Sequence, residues 1–312
     1  MYVITGADGQ LSGKIIENVL REVDGDQVVV TSPVPERITP DRVERWGAKG
    51  VTIRKADYAD PDELARAFDG ADVGFIISGM IVGEVRQQQH RNAIDAFSKV
   101  GVDRIVYSSF LGADAEETTQ VVTVDHHATE EYIRASGLTW NVFRDNLYLE
   151  NYLYAFGQIA LDEGRWRTCA GDTQATLVAK DDCAAVASAL ILGRGERNRG
   201  YDVTGRELVS VREICALVSE RSGVPLVYDS MPEDDLYAYY DSLHIPRQAT
   251  GDFSRSPYPW CSEDIVTNEA AIRDGVMSRF SGDVEALTGR PPKTIDDLID
   301  AAAAQWRLPA AR

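Results

Sequence analysis

Short apolar runs alternate with helically spaced segments through the first half of the chain. Tyr2-Val3-Ile4-Thr5 is a β-prone run, followed by a glycine-rich turn and then by Leu11, Ile15, Ile16, Val19 and Leu20 at helical spacing. Val28-Val29-Val30 predicts a second strand, Arg42 to Trp46 a helix, and Val51-Thr52-Ile53 a third strand. Asp60-Pro61 opens a helix that closes near Gly70. Val73 to Ile77 and Ile105 to Tyr107 are further continuous runs, with helical sequence from Glu84 to Val100 between them, and Thr139 to Phe143 is a sixth. Continuous runs, unlike alternating ones, suit strands covered on both faces, so the pattern predicts an α/β fold with a parallel sheet wrapped by helices.

Beyond about Asn146 the alternation becomes irregular. An aromatic-rich helix is predicted from Tyr148 to Asp162 and another from Asp181 to Leu192. Tyr201-Asp202-Val203 is predicted as a strand able to rejoin the sheet. From Ser210 onward the sequence is mostly helical, with one short strand at Leu226-Val227-Tyr228 and a loop from Ala249 to Ser262 that carries Tyr258 and Trp260.

Composition narrows the function classes. The 312 residues, 44% hydrophobic and 26% charged, are those of a globular chain long enough for one large or two modest domains. Lys plus Arg total 32 against 50 Asp plus Glu, a net charge of -18, which argues against nucleic acid or an anionic membrane as partner. The longest apolar stretch, Val73 to Val82, is interrupted by Gly74, Ser78 and Gly79 and falls far short of the ~20 residues of a membrane span. Cys169, Cys183, Cys215 and Cys261 form no C-x-x-C pair, which points to a reducing cytoplasm and to no zinc site. The four histidines make no metal ligand set either.

Gly6-Ala7-Asp8-Gly9-Gln10-Leu11 stands where a dinucleotide-binding turn belongs, after the first strand and at the start of the first helix. Glycines allow the tight turn, and the helix N-terminus offers N–H groups to a pyrophosphate. Ser12 takes the third small position, with Gly13 one later, and Asp8 adds a negative charge close to the phosphates. The second strand leads into Thr31-Ser32-Pro33-Val34-Pro35-Glu36-Arg37, with no acid directly at the strand end for the ribose hydroxyls of NAD and with Ser32 and Arg37 available to a 2′-phosphate. NADP(H) is therefore favoured over NAD(H).

Five stretches together resemble the NmrA-like atypical short-chain dehydrogenase/reductases, in particular the branch of NADPH:quinone oxidoreductases and triphenylmethane reductases. They are Ile4 to Gly13, Lys55 to Asp60, Gln89 to Ala96, His126 to Tyr152 and Leu287 to Ile299. The resemblance implies a Rossmann-type doubly wound parallel sheet in residues 1–147, with 178–204 returning to it. It also implies a smaller, mainly helical substrate domain in 148–312. It further assigns Asp57, Tyr58, Ser78 and Gly79 to cofactor binding. Two departures stand out: Pro33 where the branch has Arg, and Arg144-Asp145 where it has Arg-Asn.

None of the six lysines has a tyrosine four positions earlier, so the Tyr-x-x-x-Lys pair of ordinary short-chain dehydrogenases is absent. His126 takes the position where related reductases carry lysine or histidine, with Glu130 one turn on to orient its ring. His126, Tyr148 and Ser108 are the candidate catalytic residues. Tyr148 is open between proton donor and pocket wall, and Ser109 is a candidate cofactor contact at the end of the fifth strand. His127 and His90 are expected on helix surfaces, and Tyr152 and Phe156 in packing. The expected activity is NAD(P)H-dependent hydride transfer to a quinone or another flat, conjugated hydrophobic acceptor. The alternative is a non-catalytic NAD(P)-binding redox sensor that contacts a partner protein; a homodimer is open in either case.

Overall fold

The computed structural model describes residues 1–308 apart from 116–119, 250–252, 257 and 259. Strands and helices alternate through the first half. They are β1 (Tyr2–Ile4), α1 (Gln10–Val19), β2 (Val28–Ser32), α2 (Pro40–Ala48), β3 (Thr52–Lys55), α3 (Pro61–Ala67), β4 (Val73–Ile76), α4 (Glu84–Val100), β5 (Arg104–Phe110), α5 (Val121–Ala135) and β6 (Trp140–Asp145). The second half runs α6 (Gly157–Glu163), β7 (Arg165–Thr168), β8 (Gln174–Ala175), α7 (Lys180–Ile191), β9 (Arg199–Val203), β10 (Val209–Ser210), α8 (Val211–Ser222), β11 (Val227–Ser230), α9 (Glu233–Ser242), α10 (Ser262–Arg273), α11 (Asp283–Thr288) and α12 (Asp296–Ala303).

The central sheet has seven parallel strands in the order β3-β2-β1-β4-β5-β6-β9. This is a doubly wound sheet. Its order reverses between β1 and β4, and in such sheets the crevice outside the carboxyl ends at that point takes the ligand. Strand alternation explains the continuous apolar runs. Ile4, Val28, Val30, Phe75, Val106 and Phe143 pack against residues of α1 and α7, whereas Val3, Val29, Ile76, Ile105 and Val142 meet those of α3, α4 and α5. Gly74 interrupts its run for a physical reason: a Cβ there would stand 2.5 Å from the Phe97 ring, which is stacked on Phe68 at 4.0 Å.

Most of the remaining elements pack around Leu153, Trp166, Val218 and Ile299, with a smaller cluster at Leu236, Tyr240 and Val266 and the two-stranded sheets β7–β11 and β8–β10, while Val284 of α11 joins the core of the large sheet. Its seam with the large sheet is the segment after β6, where Val178 N–H donates to Leu147 O at 3.0 Å and Leu149 N–H to Val178 O at 2.9 Å. The aromatic helix expected from Tyr148 differs in form. It opens with a π-helical turn over Asn151–Phe156 before α6, a wide turn of the kind frequent beside functional sites. Of the 249–262 loop, Tyr258 and Trp260 are stacked at 5.1 Å and Trp260 meets Phe156 and Tyr240; residues 250–252, 257 and 259 lie outside the described residues.

Candidate functional site

The glycine turn is built by backbone geometry. Gly6 has φ +72°, and a Cβ there would lie 2.5 Å from Cγ2 of Ile77, so β1 and β4 close on each other only because that position is glycine. Ala7 N–H donates to Thr31 O at 2.9 Å and Gly9 N–H to Gly6 O at 2.8 Å, which fixes the turn against β2. Gly9 and Gln10 are exposed, Asp8 is half-buried and Leu11 is buried beneath them. No side chain caps α1 and no acid lies in its first turn, so the helix presents free N–H groups and its positive end to an outside anion. Ser12 Oγ is buried under the turn without a hydrogen-bond partner. A dinucleotide pyrophosphate fits this cradle.

Beside the turn, the ends of β3, β4 and β5 are tied together. The Tyr58 hydroxyl lies 2.5 Å from Thr5 Oγ1 and donates to Ile77 O at 3.0 Å, bridging the ends of β1 and β4. The Asp57 carboxylate accepts the Ala59 N–H at 2.8 Å, so it shapes its own turn. Ser78 N–H donates to Ser108 Oγ at 2.8 Å, leaving the Ser108 O–H to find another acceptor.

Behind these ends lies a buried polar network. His90 Nε2 accepts the Gly79 N–H at 2.9 Å and its Nδ1 lies 2.8 Å from Thr129 Oγ1. Thr129 gives its own O–H to Asp125 O, so the His90 proton sits on Nδ1 and the ring is neutral. The expectation of a helix-surface His90 is corrected: the side chain is fully buried, and desolvation lowers its pKa to about 3. The Tyr107 hydroxyl reaches His126 Nδ1 at 2.7 Å, and burial likewise holds His126 well below the ordinary histidine range. His127 turns away, its Nδ1 2.9 Å from Ala113 O. On the same face Ser109 donates to Glu130 at 2.6 Å, and Glu130 is gripped by Arg144 through two bonds of 2.8 and 2.7 Å.

The other face of β6 ends differently. Asp145 is buried on the side of α7, and its carboxylate accepts the hydroxyl of half-buried Tyr148. Lys180 Nζ stands 5.3 Å from the Tyr148 ring centroid and donates to Gln10 Oε1 at 3.1 Å, so one lysine links this tyrosine to the glycine turn. No Tyr-x-x-x-Lys exists in the sequence, yet the fold brings a tyrosine and a lysine together from separate elements.

At the adenosine side the expected residues are placed less directly. The Ser32 hydroxyl is buried and accepts the Val34 N–H at 3.0 Å, and Arg37 is exposed. Arg42, from the first turn of α2, crosses the glycine turn instead. Its Nη1 donates to Gly9 O at 3.0 Å, and its guanidinium fills the space where a Gly13 Cβ would stand, 2.3 Å away. It opens onto a cleft of about 590 Å³ along α1, whose lining includes Lys14, Arg21, Arg45, Arg290 and Lys293 together with Glu17, Glu22 and Asp181. Among the described residues no group of three His, Cys, Asp or Glu could hold a metal, and no helix is long and apolar enough to cross a membrane.

The profile of the NmrA-like family matches residues 2–256. The chain belongs to the NmrA-like family. It is 33% identical over 300 residues to quinone oxidoreductase 2 of Escherichia coli, covering 96% of this chain and 97% of that protein. The crystal structure of the NADPH-dependent quinone oxidoreductase QOR2 from the same organism, complexed with NADPH, superposes with a TM-score of 0.83 at 28% identity, covering 96% of this chain and 99% of that one. The triphenylmethane reductase of Citrobacter sp. complexed with NADP(H) shares the fold, with a TM-score of 0.82 at 24% identity over 97% and 100% of the two chains.

In this NmrA-like chain the strand ends bring together the glycine turn, Tyr58, Ser78, Gly79, Ser108 and Tyr148, while Arg37 stays apart and His126 and Ser109 lie in the buried network. Three residues escaped the sequence reading. Arg42 had one available signal, the Thr39-Pro40 helix start that places it in the first turn of α2. Asp145 was visible as a departure from the family pair. Lys180 gave none, since it meets Tyr148 only through the fold.

Proposed function

We propose that this NmrA-like chain is an NADP(H)-dependent reductase that passes hydride to a quinone or another flat, conjugated hydrophobic acceptor. The observation that carries the reading is the Gln10–Lys180–Tyr148 link, in which one lysine spans from the Tyr148 ring to Gln10 of the glycine turn. End-to-end similarity to a quinone oxidoreductase supports it. In this reading residues 1–147 and 178–204 bind the cofactor, and the rest of 148–312 encloses the acceptor. Gly6 to Leu11 take the pyrophosphate, Asp57 and Tyr58 border the adenine, and Ser78 and Gly79 line the ribose side, while Ser109, bonded to Glu130, braces the wall behind β5. Arg42, with three N–H donors beyond the two that its Nη1 gives to Ala7 O and Gly9 O, supplies the charge for the 2′-phosphate; Ser32 and Arg37 are secondary.

The bound nicotinamide supplies the hydride, and the chain must supply a proton to the oxygen that gains charge. Tyr148 is the donor in this reading because the residue is half-buried at the end of β6 on the side of Lys180 and the glycine turn. Ser108 keeps an O–H for the acceptor. His126, a neutral ring bonded to Tyr107, supports the wall behind β5.

The test is turnover of NADPH by the purified protein with benzoquinones, naphthoquinones and triphenylmethane dyes, followed by loss of reduced-nicotinamide absorbance. Quinone-dependent oxidation is expected, and Tyr148→Phe should lower kcat by about 10²-fold or more with NADPH affinity unchanged. NADPH binding without turnover of any acceptor would favour the sensor alternative.

A further inference from the structure

We propose that Asp145 stores the proton that Tyr148 delivers to the reduced acceptor. The inference rests on the reductase reading above and names a second residue in it.

The geometry is specific. Asp145 ends β6, with Phe110 of β5 and Val203 of β9 opposite it in register, so both neighbouring strands present apolar side chains. It is 4% exposed, and its carboxylate takes the Tyr148 hydroxyl. No Arg, Lys or His forms an ion pair with it among the described residues. The next residue back, Arg144, points to the opposite face and is engaged by Glu130. The titratable groups that face Asp145 are Tyr148 from its own loop and Cys183 from α7, while Glu150 and Lys180 border the Tyr148 ring. Asparagine, which the family pair has at this position, would also accept a tyrosine O–H, but it holds no transferable proton.

The environment determines which form is useful. Burial without a cation pushes Asp145 up to about 7, so it changes state near neutrality. Burial, the Asp145 charge and the Cys183 thiol push Tyr148 well above its ordinary value, which makes the phenol alone a poor acid. When Asp145 is ionised it accepts the Tyr148 O–H, and the tyrosine proton points inward. When Asp145 is protonated it donates to the Tyr148 oxygen, and the tyrosine O–H is released to point at the acceptor.

The step balances. The acceptor gains a hydride, one proton with two electrons, from the reduced cofactor, leaving one negative charge on its oxygen. That oxygen takes the Tyr148 proton as the Tyr148 oxygen takes the Asp145 proton; two O–H bonds break and two form. Asp145 ends as a carboxylate and is reset by a proton from water. The protonated form is the active one, so the rate falls as pH rises through the Asp145 titration.

Two measurements test this on the full chain. In the cofactor-free protein, the infrared carboxylic-acid band present below neutral pH should lose a component near pH 7 in wild type. Asp145→Asn should lack that component and leave the contribution of Glu269, which burial also raises to about 7. In single turnovers with NADPH and a quinone, the wild-type rate should fall about tenfold per pH unit above that titration. Asp145→Asn should be slower and flat with pH, as should Tyr148→Phe. NADPH affinity of Asp145→Asn within about twofold of wild type shows that the variant is folded. An unchanged pH limb in Asp145→Asn overturns the proposal, as does an Asp145 carboxyl already ionised at about pH 5. Binding of NADPH with no acceptor turned over defeats the reductase reading itself, and the infrared titration then still decides separately whether Asp145 holds a proton.

Discussion

The two sides of one sheet edge are made by different means. Around β1 and β4 the site is backbone: a positive φ at Gly6, an uncapped helix N-terminus, and strand ends drawn so close that a single methyl would collide with Ile77. Around β5 and β6 the site is side chains. Tyr107, His90 and His126 on one face and Glu130 with Arg144 beside them are tied by buried hydrogen bonds, and Asp145 with Tyr148 on the other by a partly buried one. A backbone cradle suits a ligand whose diphosphate never changes. A network of titratable groups suits chemistry, because its members can be neutral or charged according to their surroundings.

The strongest way to break the side-chain half is to remove the more buried of the two cations that hold Glu130. Arg144→Ala leaves a carboxylate that is 1% exposed with Ser109 and Arg134 as its remaining donors. Arg134 still pairs with Glu130, so the cost is that of two lost charge-assisted bonds, about 3 kcal/mol, and a large drop in denaturation midpoint is expected. A loss below about 1 kcal/mol would mean that water reaches Glu130 and that the network is not sealed.

Next in size is a test of whether the backbone half also depends on a side chain. Arg42→Ala should weaken NADPH by about 1.5–3 kcal/mol, roughly 10- to 150-fold, through loss of charge-assisted bonds. NADH affinity should stay nearly constant, and Arg37→Ala should change either cofactor less than threefold, as for a solvated charge. Equal loss of NADH and NADPH would show that Arg42 only props the turn through its bond to Gly9 O.

The same contrast explains what could be read from the sequence. The glycine turn, the strand-helix alternation and the 84–100 helix follow from local patterns, and α4 spans Glu84–Val100 as expected. Asp60 caps α3 by accepting from the N–H groups of Asp62 and Glu63, again a local signal. His90 misled because Gln, Arg and Asn surround it; what buries it is Tyr107 and Thr129, 17 and 39 residues away. Lys180 is 170 residues from Gln10, and no spacing rule connects them. The short strands β7, β8, β10 and β11 pair only with one another, and of these only β11 left an apolar run in the sequence.

The smallest expected effect concerns the charge state of the buried imidazoles. Burial lowers His90 to about 3 and His126 well below its ordinary value, so between these levels and about 6.5 the unfolded chain binds protons that the folded rings refuse. Folding stability from each ring is therefore complete above about pH 6.5 and is lost as pH falls, by about 1.4 kcal/mol per pH unit. Asp145 and Glu269 act in the opposite sense, since their raised values make the folded state bind protons between about 4 and 7, and total stability hides both trends. The informative quantity is the difference between wild type and His126→Asn, measured by urea unfolding from pH 6.5 down to about 4.5. The variant should lose stability less steeply over that range. Equal slopes would mean that His126 takes up a proton in the folded protein, and the β5–β6 side would then hold a buried charge beside Tyr107 in place of a neutral wall.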